Sequence, residues 1–358
     1  MSEGVTAQVF TLANPYRVVL DLPDVTFRLD PAAGQKGAGL ISAFRYGLFA
    51  HHKSRIVIDT KVPVVIHSAN MMRLKGSSAV KLAIALMPTD AKSFGGGTGA
   101  GMASAAQEPS LEAALQDVPE TTKQPHAKPV VVIDPGHGGI DPGAIGANNV
   151  NEKTIVLAVA MQLKDELEKT GLYEVKMTRH DDVFVSLDDR LKFSRAAGAD
   201  LFISLHADSI ETAANSISGA TIYTLSSKAS DKVARIAAEK ENASDLLAGI
   251  ENFEKGNDDQ VTSILIDLMK RETSDFSSDF SQLLAKRLGK TVTMSRVPRR
   301  SAAFKVLKQT DSPSVLIELG YISNRNDQEQ MLTPEWRTKV AEAIAGAVQI
   351  YFNKRTAS

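Results

Sequence analysis

Two histidines and two glutamates, widely separated along the chain, are the residues on which chemistry could be built: His137, Glu152, His206 and Glu318. His137 follows the run Val131-Val132-Ile133-Asp134 after Pro135 and Gly136, and the two glycines behind it leave its imidazole uncrowded. His206 follows Leu201-Phe202-Ile203-Ser204-Leu205, and Glu318 ends Ser314-Val315-Leu316-Ile317. Short apolar runs of this kind read as strands buried in a parallel sheet. Parallel strands bring their carboxyl ends to one edge, where open α/β sheets place their sites. Glu152 opens a helix, and a helix that follows a strand begins at that same edge. Two imidazoles and a carboxylate are the usual protein ligands of a catalytic zinc, with a fourth position left for water. The metal lowers the pKa of that water towards ~7. A further carboxylate must then take the proton and return it to a leaving amine. His137, Glu152 and His206 are therefore the candidate ligands and Glu318 the candidate catalytic acid–base. Taken singly, Glu152 could merely complement a helix N-terminus and His206 could be a satisfied core histidine; four such groups at one edge favour a site. The donor set would also accept other divalent ions.

The elements that must position these residues begin near residue 129. Strands are expected at 130–134, 174–178, 201–205, 219–225 and 314–319. Between them, Glu152 to Thr170 carries Ile155, Leu157, Ala160, Leu163 and Leu167 at helical spacing and stops at Gly171. Ser186, with Asp189 three residues on, reads as the N-cap of a second helix, and Glu335 to Phe352 as a closing amphipathic helix. Alternating strands and helices predict an α/β domain whose mostly parallel sheet is flanked by helices. Residues 1–89 read differently, as a small all-β sandwich. Arg17-Val18-Val19-Leu20-Asp21 is echoed by Arg55-Ile56-Val57-Ile58-Asp59, which hints at an internal two-fold, and Val62–Ile66 and Val80–Met87 are further strands. Phe44-Arg45-Tyr46-Gly47 between the echoes reads as a turn-like interruption. His51-His52 reads as a solvated pair. Residues 90–128, rich in glycine, alanine and serine, form a flexible linker, with at most a turn or two of helix at 110–116.

Composition excludes several classes. A net charge of −1 offers no basic face for nucleic acid, no segment approaches the ~20 apolar residues of a membrane span, and the absence of cysteine removes disulfides, thiolate ligands and a thiol nucleophile. The glycines near residue 95 are not a phosphate loop, because no Lys-Ser/Thr follows them. A metal-free glycosidase built on two carboxylates would leave both histidines without a role.

Four motifs carry a resemblance. Val-Ile-Asp-Pro-Gly-His-Gly-Gly (132–139), Asn151-Glu152-Lys153, Ser204-Leu205-His206-Ala207-Asp208 and Ile317-Glu318-Leu319-Gly320-Tyr321-Ile322-Ser323-Asn324 resemble, in order and spacing across 129–354, the zinc-dependent N-acetylmuramoyl-L-alanine amidases of bacterial cell division. The resemblance implies that His137, Glu152 and His206 bind Zn²⁺, that Glu318 is catalytic, and that the substrate is peptidoglycan, cut between the lactyl group of N-acetylmuramic acid and L-alanine. The first 89 residues resemble the AMIN domain of the same proteins, which implies targeting to the septum. The resemblance also implies a periplasmic protein of a Gram-negative bacterium, with the chain read as a mature form lacking its signal peptide; a monomer is expected. A zinc carboxypeptidase and a degenerate amidase used for wall binding are the alternative readings.

Residues 226–290 are longer than an ordinary α/β connection. Lys228–Leu247 and Val261–Lys270 read as two helices, with Ile264, Leu265, Leu268 and Met269 a possible docking surface; plain cover for one face of the sheet explains them too. The resemblance implies that this insertion is a lid offering a glutamate to the zinc. Glu239 and Glu241 are the candidates, and Glu241 is preferred because Glu-Asn-x-x-Asp-Leu matches the family pattern. An activating partner with a LytM domain, of the EnvC or NlpD type, is implied as well.

Overall fold

The computed structural model describes residues 7–23, 25–29, 33–74, 80–95, 127–209, 217–250, 263–309 and 311–356, without the side chains of 73, 263–271 and 356. Most of the expected linker and its possible helical turn at 110–116 lie outside the described residues. The chain divides into two compact units, one holding residues 1–110 with 139–141 and 245–253, the other the remainder.

The first unit is built from antiparallel strands. Strands β1 (Gln8–Leu12), β2 (Arg17–Pro23), β3 (Ile41–Ala50) and β4 (Lys53–Thr60) form one sheet in the order β1-β2-β4-β3, and β5 (Val64–Arg73) pairs with β6 (Val80–Pro88). Val18 and Leu20 pack with Val64 and Ile66 in a core between the two. The echoed sequences prove to be neighbours. Antiparallel pairing sets Arg17 opposite Asp59 and Asp21 opposite Arg55, so the repeat is a local dyad that puts each arginine across from the other strand's aspartate. Arg55 Nε lies 2.6 Å from Asp21 Oδ1. Burial pushes the Asp21 carboxyl up, but Arg55 and Lys53 outweigh it and leave the group below its ordinary value. The expected interruption at Phe44–Gly47 is a correction: β3 runs straight through Gly47, because a glycine weakens a strand without ending one whose backbone is paired with β4 on either side of it. His51 and His52 sit exposed in the turn between β3 and β4.

The second unit is a three-layer α/β domain. Its six strands, β7 (Val130–Pro135), β8 (Glu174–Met177), β9 (Leu201–His206), β10 (Ala220–Leu225), β11 (Met294–Ala302) and β12 (Ser314–Glu318), lie in the order β11-β10-β12-β9-β7-β8. Strands β12, β9, β7 and β8 are mutually parallel; β10 pairs antiparallel with β12, and β11 runs parallel to β10. Alternation along buried strands supplies both faces. Val131, Ile133, Leu201, Ile203, Val315 and Ile317 pack on the side of α1 (Glu152–Lys169), α4 (Ser263–Leu288) and α6 (Pro334–Thr356). Val130, Val132, Phe202 and Leu316 turn to the other side, towards α2 (Leu187–Ala196) and α3 (Lys232–Glu241). The short helix α5 (Arg325–Met331) follows β12. Ser186 caps α2 as expected, its hydroxyl accepting from the Asp189 N–H.

Two differences from the sequence reading concern the insertion. The helix expected over Lys228–Leu247 starts only at Lys232, where Asp231 caps the Ala234 N–H, and ends at Glu241. Asn242 stops it by bonding Ala303 O and the Lys305 N–H through its side chain. The second expected helix is part of the longer α4, and the side chains of Ile264, Leu265, Leu268 and Met269 lie outside the described residues. Strand β11 was not expected at all: Ser295-Arg296-Val297-Pro298-Arg299-Arg300 lacks an apolar run because it is a sheet edge, where a proline is tolerated.

Candidate metal and catalytic site

The parallel arrangement of β7, β9 and β12 brings the four expected residues to one edge. Glu318 and His206 are direct register partners across β12 and β9. His137 stands just past β7, and Glu152 opens α1, its backbone N–H bonded to Ala144 O. His137, Glu152, His206 and Glu318 are all buried. Glu152 Oε1 lies 3.2 Å from His137 Nε2 and 3.3 Å from His206 Nδ1. Its carboxylate is fixed by the backbone N–H groups of Ala144 at 2.8 Å and Ala207 at 2.7 Å. The two imidazoles meet edge to face, with centroids 4.9 Å apart.

A fourth donor comes from α3. Glu241 Oε2 lies 3.1 Å from His206 Nδ1 and 3.4 Å from His137 Nε2, and the donor atoms of His137, His206 and Glu241 fall within 4.8 Å of one another. Ligand distances of about 2.0–2.2 Å to zinc fit such a set. Glu241 Oε1 and Glu318 Oε1 are buried without a hydrogen-bond partner among the described residues; a metal and a reacting molecule are the kinds of partner such atoms lack. Glu239, the other candidate on α3, is exposed and pairs with Arg235 at the surface. With Glu241 in place, the pocket lined by Gly136, His137, Arg190, His206 and Glu241 has a cavity volume of about 10 Å³, at the lower limit for one water.

Electrostatics in this cluster follow from burial and proximity. Burial opposes the ionised forms of Glu152 and Glu241, but the two imidazoles outweigh it, and both carboxyls lie below their ordinary values, Glu152 well below. Burial likewise opposes a charged His206, yet the Glu241 charge and the bonds to Glu152 and Glu241 raise it to about 10. Without a metal the carboxylates therefore grip a proton on His206. Glu318 goes the other way: burial first, and then the Asp208 carboxylate, hold it well above the usual carboxylate range. Its Oε2 accepts the Asp208 N–H at 2.9 Å. Burial raises the Asp208 carboxyl to about 6, against the pull of the Lys240 ammonium.

Several positioning residues escaped the sequence reading. His137 holds a left-handed backbone, φ +59°, a conformation that is strained for a non-glycine residue. Two buried arginines secure it. Arg190 donates to His137 O and Pro135 O, both at 2.8 Å, and pairs with Asp134 at 2.6 Å. Arg179 donates to Pro135 O at 3.0 Å and Gly136 O at 2.8 Å. Asp134 also accepts from Thr178 and Ser204. Burial pushes its carboxyl up, but Arg190 and these hydroxyls bring it below its ordinary value. Gly136 is required because a Cβ there would stand 2.4 Å from His206 Cε1. An acidic residue at the end of an apolar strand was the available signal; its arginine partner, Arg190, lies 56 residues away.

Comparison with known proteins decides the family. Residues 131–350 match Amidase_3, N-acetylmuramoyl-L-alanine amidase, and residues 1–84 match the AMIN domain. The chain belongs to the N-acetylmuramoyl-L-alanine amidase family. The amidase is 32% identical to N-acetylmuramoyl-L-alanine amidase AmiC of Escherichia coli O6:H1, over 96% of this chain and 83% of the relative. It is 35% identical to N-acetylmuramoyl-L-alanine amidase AmiA of Escherichia coli K12, over 71% of this chain and 90% of the relative. Among solved structures, an N-acetylmuramoyl-L-alanine amidase from Clostridium difficile 630 is 22% identical, covering 64% of this chain and 98% of that one with a TM-score of 0.48. The amidase acts on peptidoglycan. None of its described helices is long and apolar enough to cross a membrane.

Proposed function

We propose that the chain is a zinc-dependent amidase which cuts the bond between the lactyl group of N-acetylmuramic acid and L-alanine, and which its own α3 keeps closed. The observation that carries this reading is the placing of Glu241 among His137, Glu152 and His206. His137, Glu152 and His206 would hold the zinc. When bound, the ion supplies Lewis acidity, polarising a carbonyl and lowering the pKa of water towards ~7. Glu318 does the proton work. Its Oε2 is fixed by the Asp208 N–H, and its Oε1, unpartnered among the described residues, takes the proton of the attacking water and delivers it to the departing alanine nitrogen. Burial and the Asp208 carboxylate hold this carboxyl above its ordinary range, which favours its keeping the proton between the two transfers. The C–N bond breaks, leaving a lactyl carboxylate and a free amine. Glu241 fills the donor set and leaves space for no substrate, so α3 must withdraw before turnover.

The AMIN unit, by its family, fits delivery to the septal wall in the periplasm of a Gram-negative cell. A LytM-domain protein of the EnvC or NlpD type is the proposed agent that moves α3. The proposed domains are an AMIN-like unit over 1–89, a linker over 90–128 and the catalytic region over 129–358 with its insertion at 226–290. Mass spectrometry of digested peptidoglycan tests the reaction. The expected products are glycan strands with free lactyl carboxylates and stem peptides beginning with a free L-alanine amine, absent with Glu318→Gln and after chelation. Stem peptides trimmed at the other end would instead indicate a carboxypeptidase.

A further inference from the structure

Asp208 lies two residues beyond His206 and is almost fully buried. Its backbone is held on both sides by the site, the N–H on Glu318 Oε2 and the carbonyl on the Ile322 N–H. Its carboxylate is engaged by Ser209 N–H and by the Lys240 ammonium of α3, which also reaches Ser209 Oγ at 3.3 Å. Lys240 directly precedes Glu241. Two adjacent residues of the closing helix thus engage two adjacent features of the cleft: the metal-ligand cluster and a buried carboxylate. A carboxylate buried this deeply beside Glu318 is unfavourable unless donors face it. In the closed chain those donors are the Ser209 N–H and Lys240. Once α3 withdraws, Lys240 leaves with Glu241, and the carboxylate remains beside the catalytic glutamate with only the Ser209 N–H facing it among the described residues.

Building on the amidase reading, we propose that Asp208 is a substrate-binding residue that accepts a hydrogen-bond donor of the stem peptide, and that Lys240 occupies this subsite in the closed chain as an internal mimic. The ligand chemistry is an N–H donor near the scissile amide, either a peptide N–H or the free side-chain amine of a diamino acid. Lys240 and Glu241 together then make the end of α3 a competitor for substrate as well as a plug.

The test uses the full, zinc-loaded chain with α3 already released by Lys240→Met and Glu241→Ala, so that any latch between Lys240 and Asp208 is gone. Adding Asp208→Asn is expected to raise KM for a soluble muropeptide about tenfold or more, the scale of one charge-assisted hydrogen bond, with kcat within about twofold. Fragments whose diamino-acid amine is acetylated separate the two sources. If the KM penalty persists, the donor is a peptide N–H; if it vanishes because acetylation alone raises KM equally, the donor is the amine. An unchanged KM would reduce Lys240–Asp208 to a latch and overturn the proposal, as would a loss of kcat alone, which would mean that Asp208 acts only through Glu318. Calorimetric binding of the same muropeptide to Glu318→Gln forms reads the subsite without turnover. Failure to hydrolyse would thus count against the amidase reading and not against the subsite.

Discussion

Replacing Glu241 by alanine isolates the closing contact. The substitution removes one carboxylate whose Oε2 reaches His206 Nδ1 at 3.1 Å and His137 Nε2 at 3.4 Å. A charge-assisted contact of this carboxylate, to the imidazoles or to the ion they would hold, contributes at least about 1.5–3 kcal/mol, and about 1.4 kcal/mol is a factor of ten. The ratio of closed to open chain should therefore fall by at least about 10- to 150-fold. With the closed form dominant, the basal rate on peptidoglycan rises by the same factor until the chain is fully open. Glu239 supplies the control, since its side chain is 61% exposed and pairs with Arg235, one turn away on the same helix. Exposed pairs of that kind are worth so little that Glu239→Ala should change the rate less than about twofold. Release of dye from labelled peptidoglycan at saturating zinc, with metal content measured for each variant, reads the comparison. A basal rate for Glu241→Ala equal to the parent's at equal metal content would refute the reasoning, and so would equal activation by Glu239→Ala.

Three further outcomes follow from the supports of the site. Gly136→Ala would place a Cβ 2.5 Å from His206 Nε2, so the imidazole must move; zinc retained after dialysis should fall at least about tenfold, and parent-like retention would contradict this. Arg190→Met strands the buried Asp134 carboxylate and should destabilise the amidase unit by about 3–5 kcal/mol, read as a lowered thermal midpoint by calorimetry. Asp134→Asn should reveal the pH dependence of that pair. The folded carboxyl lies below its unfolded value, so its stabilisation is present above about pH 4. It is lost as pH falls through the lower, folded value. The stability gap between parent and variant should stay constant from pH 7 to 5 and shrink below about pH 4; a gap unchanged down to pH 3 would sink the assignment.

Much of the architecture could be read before folding because it rests on local pattern. Runs such as Val131–Ile133 and Leu201–Leu205 are apolar on both sides because helices cover both faces of the sheet. Their parallel direction alone predicts one common edge for His137, His206 and Glu318. The passage of β3 through Gly47 and the strand β11 are not legible locally, because edge and paired strands draw their order from neighbours that a local window does not contain. The helix around Glu241 was drawn too long, since its ends are set by Asp231 and Asn242 bonding to the chain near residues 234 and 303–305.

By itself, then, the sequence determined the α/β class, the family motifs and the four residue types that meet at the sheet edge, because periodicity and strand order are local and directional. Only the tertiary structure decided which glutamate of α3 enters that edge. Glu239 and Glu241 are two residues apart, and a helix turns about 100° per residue, so one faces solvent and the other the histidines. The same holds for Arg179, Arg190 and Lys240: as sequence they are ordinary charges, and what each one holds is set by carbonyls and carboxylates that come near only when the sheet has formed.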